Sequence, residues 1–297
     1  MAKLKKLNPE DIVDTLHVRE ISEETGEILE YSKSVYSAEG SSKIIDNKRY
    51  KISENELHQY INEEFGRFFF YMYSNIDDYD LQPQYKTRVL VLASYLDYNS
   101  NVLVEKSERN INLKLNKDNI KDILKLSDSE FRKTMKALTD SGVVIKDDKN
   151  YILNNCFKRG NLKSKSVLCT RVFVKSIRDL YWSTEAKNHK QLYYLFKMLP
   201  YTNMQFNIPC KNINCENIDS IDPLTMNDIS SLLGYGDNNG GKLWKVLRGF
   251  KINGNYAVCK FSFDEDKEYI TINPRLYYAG TQIENVTYII NIFDMAK

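Results

Sequence analysis

The sequence has few of the residues on which metal-dependent and histidine-dependent catalysis rests. Its three histidines, His17, His58 and His189, are isolated from one another. The five cysteines are irregularly spaced, and the two closest, Cys210 and Cys215, have neither a second pair nor a nearby histidine to complete a zinc site. We therefore expect no catalytic residue, no metal and no cofactor, and we expect reduced, partly buried thiols.

Long apolar runs and nucleotide-binding loops are also missing. No stretch approaches the roughly 20 apolar residues of a membrane span, and segment 1–9 is basic without the apolar core of a secretory signal. The glycines around Gly241 resemble a phosphate loop, but Gly241-Lys242-Leu243 lacks the hydroxyl that would hold magnesium. We expect a cytoplasmic protein that has no membrane partner and does not hydrolyse nucleotides.

Charge is unevenly distributed, although the formal net charge is only +2. Residues 1–80 carry 10 basic and 17 acidic groups, whereas residues 81–297 carry 32 basic and 23 acidic groups. The stretch 158–178 contains seven basic residues and no acidic one. A local field of one sign suits a polyanion such as the phosphate backbone. The alternative is a solvated basic linker.

The N-terminal region 1–80 is predicted to contain a β-hairpin and an aromatic helix. Two β-prone runs flank Thr25-Gly26, which is typical of a hairpin. The segment 57–73 is dense in aromatic residues and compatible with a helix. Its only basic residue is Arg67, so we favour a core or interface role over base stacking. An exposed aromatic patch would favour homodimerisation.

Residues 81–160 show the element order of a winged helix-turn-helix. An apolar helix at 85–96 precedes a short strand at 110–115. Capping residues start two more helices, at 116–124 and 127–140, and a strand–turn–strand wing closes the unit over 143–153. In this fold the third helix normally lies in the major groove of DNA.

The same order returns in residues 188–280. Helices are predicted at 189–201, 225–233 and 238–250, followed by a wing over 252–272. The first unit closes with YILNNCFKRG and the second with YITINPRLYYAG, and both read as a strand, an Asn, aromatic residues and Gly. We therefore predict an α+β fold with tandem winged helix-turn-helix domains and an N-terminal hairpin/helix extension. Residues 161–187 would be a basic connector and 281–297 a C-terminal tail.

The stretch Ser127–Gly160 resembles the winged-helix replication initiators of low-GC Gram-positive plasmids and their phage relatives, the RepL-like group. In that group a helix ending in Leu-x-x-x-Gly precedes a hydrophobic wing strand and a closing Asn-Pro-aromatic-Gly segment. This chain has Asn155 where the proline often stands, but Asn273-Pro274 in its second unit. The hairpin at 24–27 is also similar to that group. The resemblance implies DNA binding and, through it, a role at a replication origin.

Basic and amide side chains form the predicted DNA-binding surface. In the first unit, the helix face opposite Phe131, Met135 and Leu138 also includes Glu130. Arg suits guanine, Asn suits adenine, and Lys suits phosphate. We also expect Gly240-Gly241 to let a phosphate approach the helix N-terminus closely. The predicted DNA-binding residues are Ser129, Arg132, Lys133, Lys136, Lys149, Lys158, Arg159, Lys163, Lys165, Asn238, Asn239, Lys242, Lys245 and Arg248; Lys146 and Lys260 are further wing lysines.

The leading hypothesis is a non-enzymatic, sequence-specific double-stranded DNA-binding protein of a plasmid or phage, with replication initiation as its role. A transcriptional regulator and a protein–protein interaction module are the alternatives. No His-x-His motif of a rolling-circle nickase is present, and Arg171, His189 and Tyr193 lack the spacing of a tyrosine recombinase. Expected partners are double-stranded DNA, a second copy of the chain, and host replication or transcription proteins.

Overall fold

The structure is a computed structural model that describes residues 12–21, 28–38, 41–46, 54–76, 78–98, 100–106, 112–148, 150–160, 169–262 and 267–295. The chain divides into two compact units, Met1–Tyr60 and Ile61–Lys297. The division falls within the first helix and earlier than the boundary expected at residue 80. The architecture is mixed α+β with small antiparallel sheets, as predicted.

The first unit contains a three-stranded antiparallel sheet. Strands β1 (Ile12–Ile21), β2 (Ile28–Ala38) and β3 (Ser41–Asp46) pair in the order β1-β2-β3. Ile21 stands opposite Ile28 in the register, so the two predicted hairpin strands do pair. The turn at Thr25-Gly26 lies outside the described residues.

The second unit begins with a repeat that we call the first repeat, residues 68–158. Helix α1 (Glu54–Phe65) precedes it. Its elements are β4 (Phe68–Tyr71), α2 (Tyr73–Ile76), α3 (Pro83–Ala93), β5 (Val104–Lys106), β6 (Asn112–Lys114), α4 (Lys117–Leu124), α5 (Asp128–Asp140), β7 (Val144–Asp147), β8 (Asn150–Leu153) and β9 (Phe157–Lys158).

Residues 170–278 form the second repeat. Short 3-10 turns lie at Ala186–Asn188, Leu199–Tyr201 and Ile218–Ser220. Its elements are β10 (Thr170–Phe173), α6 (Val174–Trp182), α7 (His189–Lys197), α8 (Met226–Leu232), α9 (Gly240–Arg248), β11 (Lys251–Ile252), β12 (Asn255–Tyr256), β13 (Val258–Ser262), β14 (Glu268–Ile272) and β15 (Tyr277–Tyr278). Helix α10 (Ile283–Met295) follows.

Capping side chains start the helices where the sequence predicts them. The side chain of Asn116 accepts hydrogen bonds from the first turn of α4, and Ser127 Oγ accepts one from Glu130 N at the start of α5. Thr225 and Asp228 form a reciprocal capping box at α8. These contacts satisfy backbone N–H groups that a helix cannot pair internally, so each helix has a fixed first residue.

Strands from both repeats form a four-stranded sheet with the order β15-β10-β4-β9. The segment 57–73, predicted as one aromatic helix, is helical as far as Phe65 in α1, and its aromatic run then forms the inner strand β4. Gly66, with φ +77°, ends α1 because it adopts the left-handed conformation and donates its N–H to Asn62 O at 3.0 Å. Phe69 and Tyr71 are fully buried on one side of β4, whereas Phe68 and Phe70 on the other side are half-buried, so the core takes up one side of the aromatic run.

Two other segments predicted as connections are part of the core. The predicted connector 161–187 contains β10 and α6, because Val172, Phe173 and Ile177 are buried between the repeats. The predicted C-terminal tail contains α10, which buries Ile289 and Phe293. The apolar periodicity of α10 is visible in the sequence, whereas the strand β10 depends on its partners.

Matching asparagine contacts hold a C-terminal hairpin of each repeat. Asn101 and Asn207 both have positive φ, 55° and 51°, and each accepts a backbone hydrogen bond from the last residue of a hairpin strand, Leu153 or Ile272. Asn101 Nδ2 donates to Leu153 O at 3.3 Å and Asn207 Nδ2 to Ile272 O at 3.2 Å. Asparagine tolerates this left-handed conformation better than most residues. The repetition seen in the sequence is therefore also present in the hydrogen bonding.

The residue after each of these strands makes a second matching contact. Asn154 Oδ1 accepts from Cys156 N at 3.1 Å, and Asn273 Oδ1 accepts from Arg275 N at 2.9 Å. Both are local turns in which an asparagine side chain holds the backbone two residues further on. They direct the chain from the hairpin back into the four-stranded sheet.

A buried arginine connects helices α3 and α5 of the first repeat. Arg88 on α3 is 1% exposed, and its Nη1 donates to Glu130 Oε1 at 2.8 Å and to Thr134 Oγ1 at 2.6 Å. Both acceptors lie on α5, so this contact fixes the rotation of α5 about its axis. Breaking a buried ion pair leaves one charge without a partner and is strongly destabilising.

We expect Glu130→Ala to lower the free energy of unfolding by about 2 to 3 kcal/mol, because it leaves the buried guanidinium of Arg88 with one protein acceptor fewer. Asp128→Ala is the control, since Asp128 pairs with Lys121 at the surface and should contribute less than about 1 kcal/mol. Urea unfolding of both variants measures the difference. If both variants lost the same free energy of unfolding, the buried Arg88–Glu130 contact would stabilise the protein no more than the surface pair does.

Candidate nucleic-acid interface

Helix α5 presents a polar face opposite its buried stripe. At about 100° per residue, the buried Phe131, Thr134, Met135 and Leu138 lie on one side of the helix. Four predicted DNA-contacting side chains lie within an arc of about 100° on the other side. All four are exposed: Ser129, Arg132, Lys133 and Lys136. Three cations therefore share one solvent-facing surface.

Glu130 does not belong to that surface. The sequence pattern groups it with the exposed side chains, but the structure turns it towards Arg88 and leaves it half-buried. The nearby Asp128 pairs with Lys121 at 2.5 Å, and this contact lowers the pKa of Asp128 and raises that of Lys121. Both carboxylates near the start of α5 are thus engaged by cations. The exposed Asp140 shares the cationic arc in the last turn, so the three cations of the face exceed its single carboxylate.

Helix α9 has the same arrangement in the second repeat. Leu243 and Leu247 are fully buried, whereas Lys242, Lys245 and Arg248 are exposed on the opposite face. The guanidinium of Arg248 lies 5.2 Å from the centre of the Tyr256 ring in β12. A cation over an aromatic face is attracted to it and loses freedom, so the hairpin orients the last cation of the helix.

Asn238 and Asn239 precede α9, although the sequence predicts them inside it. Asn238 is exposed and has φ +57°. This left-handed conformation does not fit an α-helix, so α9 begins after Asn238. Asn239 is half-buried and makes no side-chain capping bond, and a Cβ at Gly236 would lie 2.6 Å from its Nδ2. Of the two, only Asn238 is open enough to meet a ligand.

Gly240 was predicted to let a phosphate approach closely, but in the structure it packs against the start of α8. It is buried, and its N–H donates to Asn227 Oδ1 at 3.1 Å. A Cβ at this position would lie 2.7 Å from the carbonyl carbon of Met226, closer than real contacts allow. The N-terminus of α9 therefore lies directly against the start of α8. Gly241 is exposed, and a Cβ there would meet no atom within 4 Å apart from its chain neighbours and the backbone of its own helix.

Much of the basic stretch 158–178 is engaged in internal contacts. Arg159 Nη1 donates to Leu96 O at 3.1 Å, and Arg178 donates to Ser94 O and Oγ beyond the end of α3. Burial is the main cause that lowers the pKa of both arginines. Arg171 donates to Gly280 O at 3.1 Å. These arginines bind carbonyl groups at the end of a helix and in a loop, which the sequence pattern cannot distinguish from phosphate binding.

Of the remaining predicted lysines, three lie in the part of the chain that the structure describes and three lie outside it. Lys158 is half-buried in β9, and Lys146 is exposed on β7. Lys260 is engaged, since it pairs with Glu268 at 2.6 Å and lies 5.0 Å from the Trp244 ring centre. Three predicted contacts lie outside the described residues: Lys149, Lys163 and Lys165.

The sequence analysis did not single out Lys125, an exposed cation in the turn before α5. Lys125 adopts φ +49° in the turn between α4 and α5, and its Nζ lies 4.8 Å from the ring centre of Trp182. Trp182 Nε1 in turn donates to Ile123 O at 2.9 Å. A helix of the second repeat thus supports the turn of the first. A bulky residue in the left-handed conformation gives no clear signal in a sequence.

The cysteines are buried or half-buried, as predicted. Burial raises the pKa of Cys156, Cys210 and Cys259 to about 11, which makes their thiolates scarce at neutral pH. In the part of the chain that the structure describes, no three His, Cys, Asp or Glu side chains cluster so as to hold a metal. Within the same ranges, no helix combines the length and apolar character needed to cross a membrane.

The two adjacent glycines of α9 provide a matched pair of variants. Gly240→Ala should destabilise the protein by about 1 to 3 kcal/mol, because its Cβ overlaps backbone atoms of α8. Gly241→Ala should be neutral or stabilise by up to about 1 kcal/mol, since alanine favours the helix and the space is open. Thermal unfolding of both variants tests this packing. A tolerated Gly240→Ala would contradict it.

Comparison of the chain with protein-family models, with curated proteins and with solved structures gives no match. The resemblance to the RepL-like initiators therefore stays a prediction from the sequence.

Proposed function

We propose that this chain binds duplex DNA sequence-specifically, through two winged helix-turn-helix units that correspond to the two repeats. The observation that carries the proposal is the equivalence of α5 and α9. Each follows a shorter capped helix, buries one apolar stripe, exposes cations on the opposite face and precedes an antiparallel hairpin. In winged-helix proteins the helix in this position enters the major groove.

The exposed groups suit the chemistry of a DNA groove. Arg132 lies in the first half of α5, where a guanidinium can pair with the O6 and N7 of guanine. Lys136 is one turn further along and suits a phosphate. On α9, Lys242, Lys245 and Arg248 supply a second set of cations. The two sets give both affinity from phosphate contacts and a means of reading bases.

Replication initiation is the biological role we favour, because Ser127–Gly160 resembles the RepL-like initiators. Regulation of transcription would use the same surfaces. Footprinting on the DNA that carries the gene separates the two roles: repeated sites within or beside the gene fit an origin, and one site over a promoter fits a regulator.

One observation favours protein binding as a second candidate. Ile145 is 49% exposed on β7 and lies beside Ile152, which is in turn bridged to Val102. Both of these neighbours are half-buried. An apolar row on the outside of a wing suits contact with another protein, such as a host replication protein.

We expect affinity for random duplex DNA to fall steeply between about 50 and 200 mM salt, because phosphate contacts release counterions. Arg132→Ala and Lys242→Ala should each weaken specific binding by about 1 to 3 kcal/mol. Lys187→Ala is the control, since Lys187 is exposed, pairs with Glu185 and lies outside both helix faces. Fluorescence anisotropy at several salt concentrations measures all of them.

Salt-independent binding would overturn the proposal that the chain binds DNA. Normal affinity in both Arg132→Ala and Lys242→Ala would show that α5 and α9 are not the reading helices. A loss in Lys187→Ala as large as theirs would mean that general charge, and not these two faces, determines binding.

A further inference from the structure

The two repeats meet at an antiparallel strand pair. In the sheet β15-β10-β4-β9, the inner strands β4 and β10 each begin one repeat, and the outer strands β9 and β15 each end one. Phe69 stands opposite Val172 and Phe70 opposite Arg171. Neighbouring antiparallel strands are related by a rotation of about 180°. A head-to-tail arrangement would instead make β4 and β10 parallel.

Helix packing follows the same symmetry. The first long helix of one repeat, α3, packs on its counterpart α7, and Thr87 Oγ1 donates to His189 O at 2.7 Å across them. Helix α5 packs on α3, and α9 packs on α7. The matching contacts of Asn101 and Asn207 show that each repeat holds its C-terminal hairpin in the same way. The rotation that relates the strands therefore also relates α5 to α9.

The two helix faces correspond at three exposed positions and differ at two. The buried Phe131 and Met135 of α5 match Leu243 and Leu247 of α9 at a constant offset in residue number. At the same offset, three exposed positions match in pairs: Ser129 with Gly241, Lys133 with Lys245, and Lys136 with Arg248. One pair is identical, one is a Lys–Arg exchange and one differs. At this offset Arg132 matches the half-buried Trp244, and Lys242 matches the half-buried Glu130. The two faces thus share three exposed positions and are unequal in chemistry.

We propose that one chain reads two unequal DNA half-sites in inverted orientation, as a dimer of helix-turn-helix proteins would read a palindrome. This inference rests on the proposed function and adds the arrangement of the target. Proteins with a two-fold axis dock their reading helices in opposite directions along the duplex. Here the axis lies inside one chain, so a monomer occupies both half-sites and each half-site has its own sequence.

The test determines the direction of each helix along the DNA. A binding site is first selected from random duplexes with the full-length protein. A DNA-cleaving reagent is then attached through cysteine at either end of each exposed face, in the single variants Ser129→Cys, Lys136→Cys, Gly241→Cys and Arg248→Cys. The two ends of a face are about 10 Å apart, so the centre of cleavage moves by about two to three base pairs from one end to the other.

For inverted half-sites, the cleavage centre moves in opposite directions along the duplex for α5 and α9. The reagent-treated unaltered chain gives the background from the five native cysteines. Movement in the same direction for both helices would overturn the inverted arrangement while leaving DNA binding intact. Binding without localised cleavage from α9 would show that one repeat alone reads DNA. Failure to select any site, with no salt-dependent binding, would instead overturn the proposed function itself.

Discussion

The pairing of β4 with β10 is the contact on which the larger unit of this protein depends. It joins strands about a hundred residues apart in the chain, and it brings together the beginnings of two repeats. The aromatic run of β4 makes this possible, because Phe69 and Tyr71 bury large apolar side chains against Phe157 and Phe196. Without this strand pair, α3 and α7 would lose the support that holds them against each other.

Local capping made many helix boundaries predictable. The helices that begin after Asn116, Ser127 and Thr225 start as the sequence predicts, since the signal and the contact lie within four residues of each other. The two exposed cationic faces were predictable for a similar reason, because the apolar stripes of α5 and α9 define their opposite sides.

Long-range contacts explain the errors. The strand β4 was predicted as a helix because its partners β9 and β10 come far later in the chain. Arg159 and Arg178 were read as part of a DNA-binding connector, yet they bind carbonyl oxygens near the end of α3. Gly240 was assigned to phosphate because its contact with α8 exists only in the folded chain. Arg88 is visible in the sequence as a charged residue directly before the apolar run 89–93.

The matched asparagines have a consequence for how such a protein evolves. In a homodimer, every substitution in a gene changes both subunits at once, so the two reading surfaces stay identical. Here each repeat is encoded separately, and a change at Gly241 leaves Ser129 as it was. The asparagines at 101 and 207, and at 154 and 273, make matching contacts in the two frameworks, while the exposed faces differ. The scaffold is thus symmetric and the surface is not, so under the proposed function each half can change without altering the other.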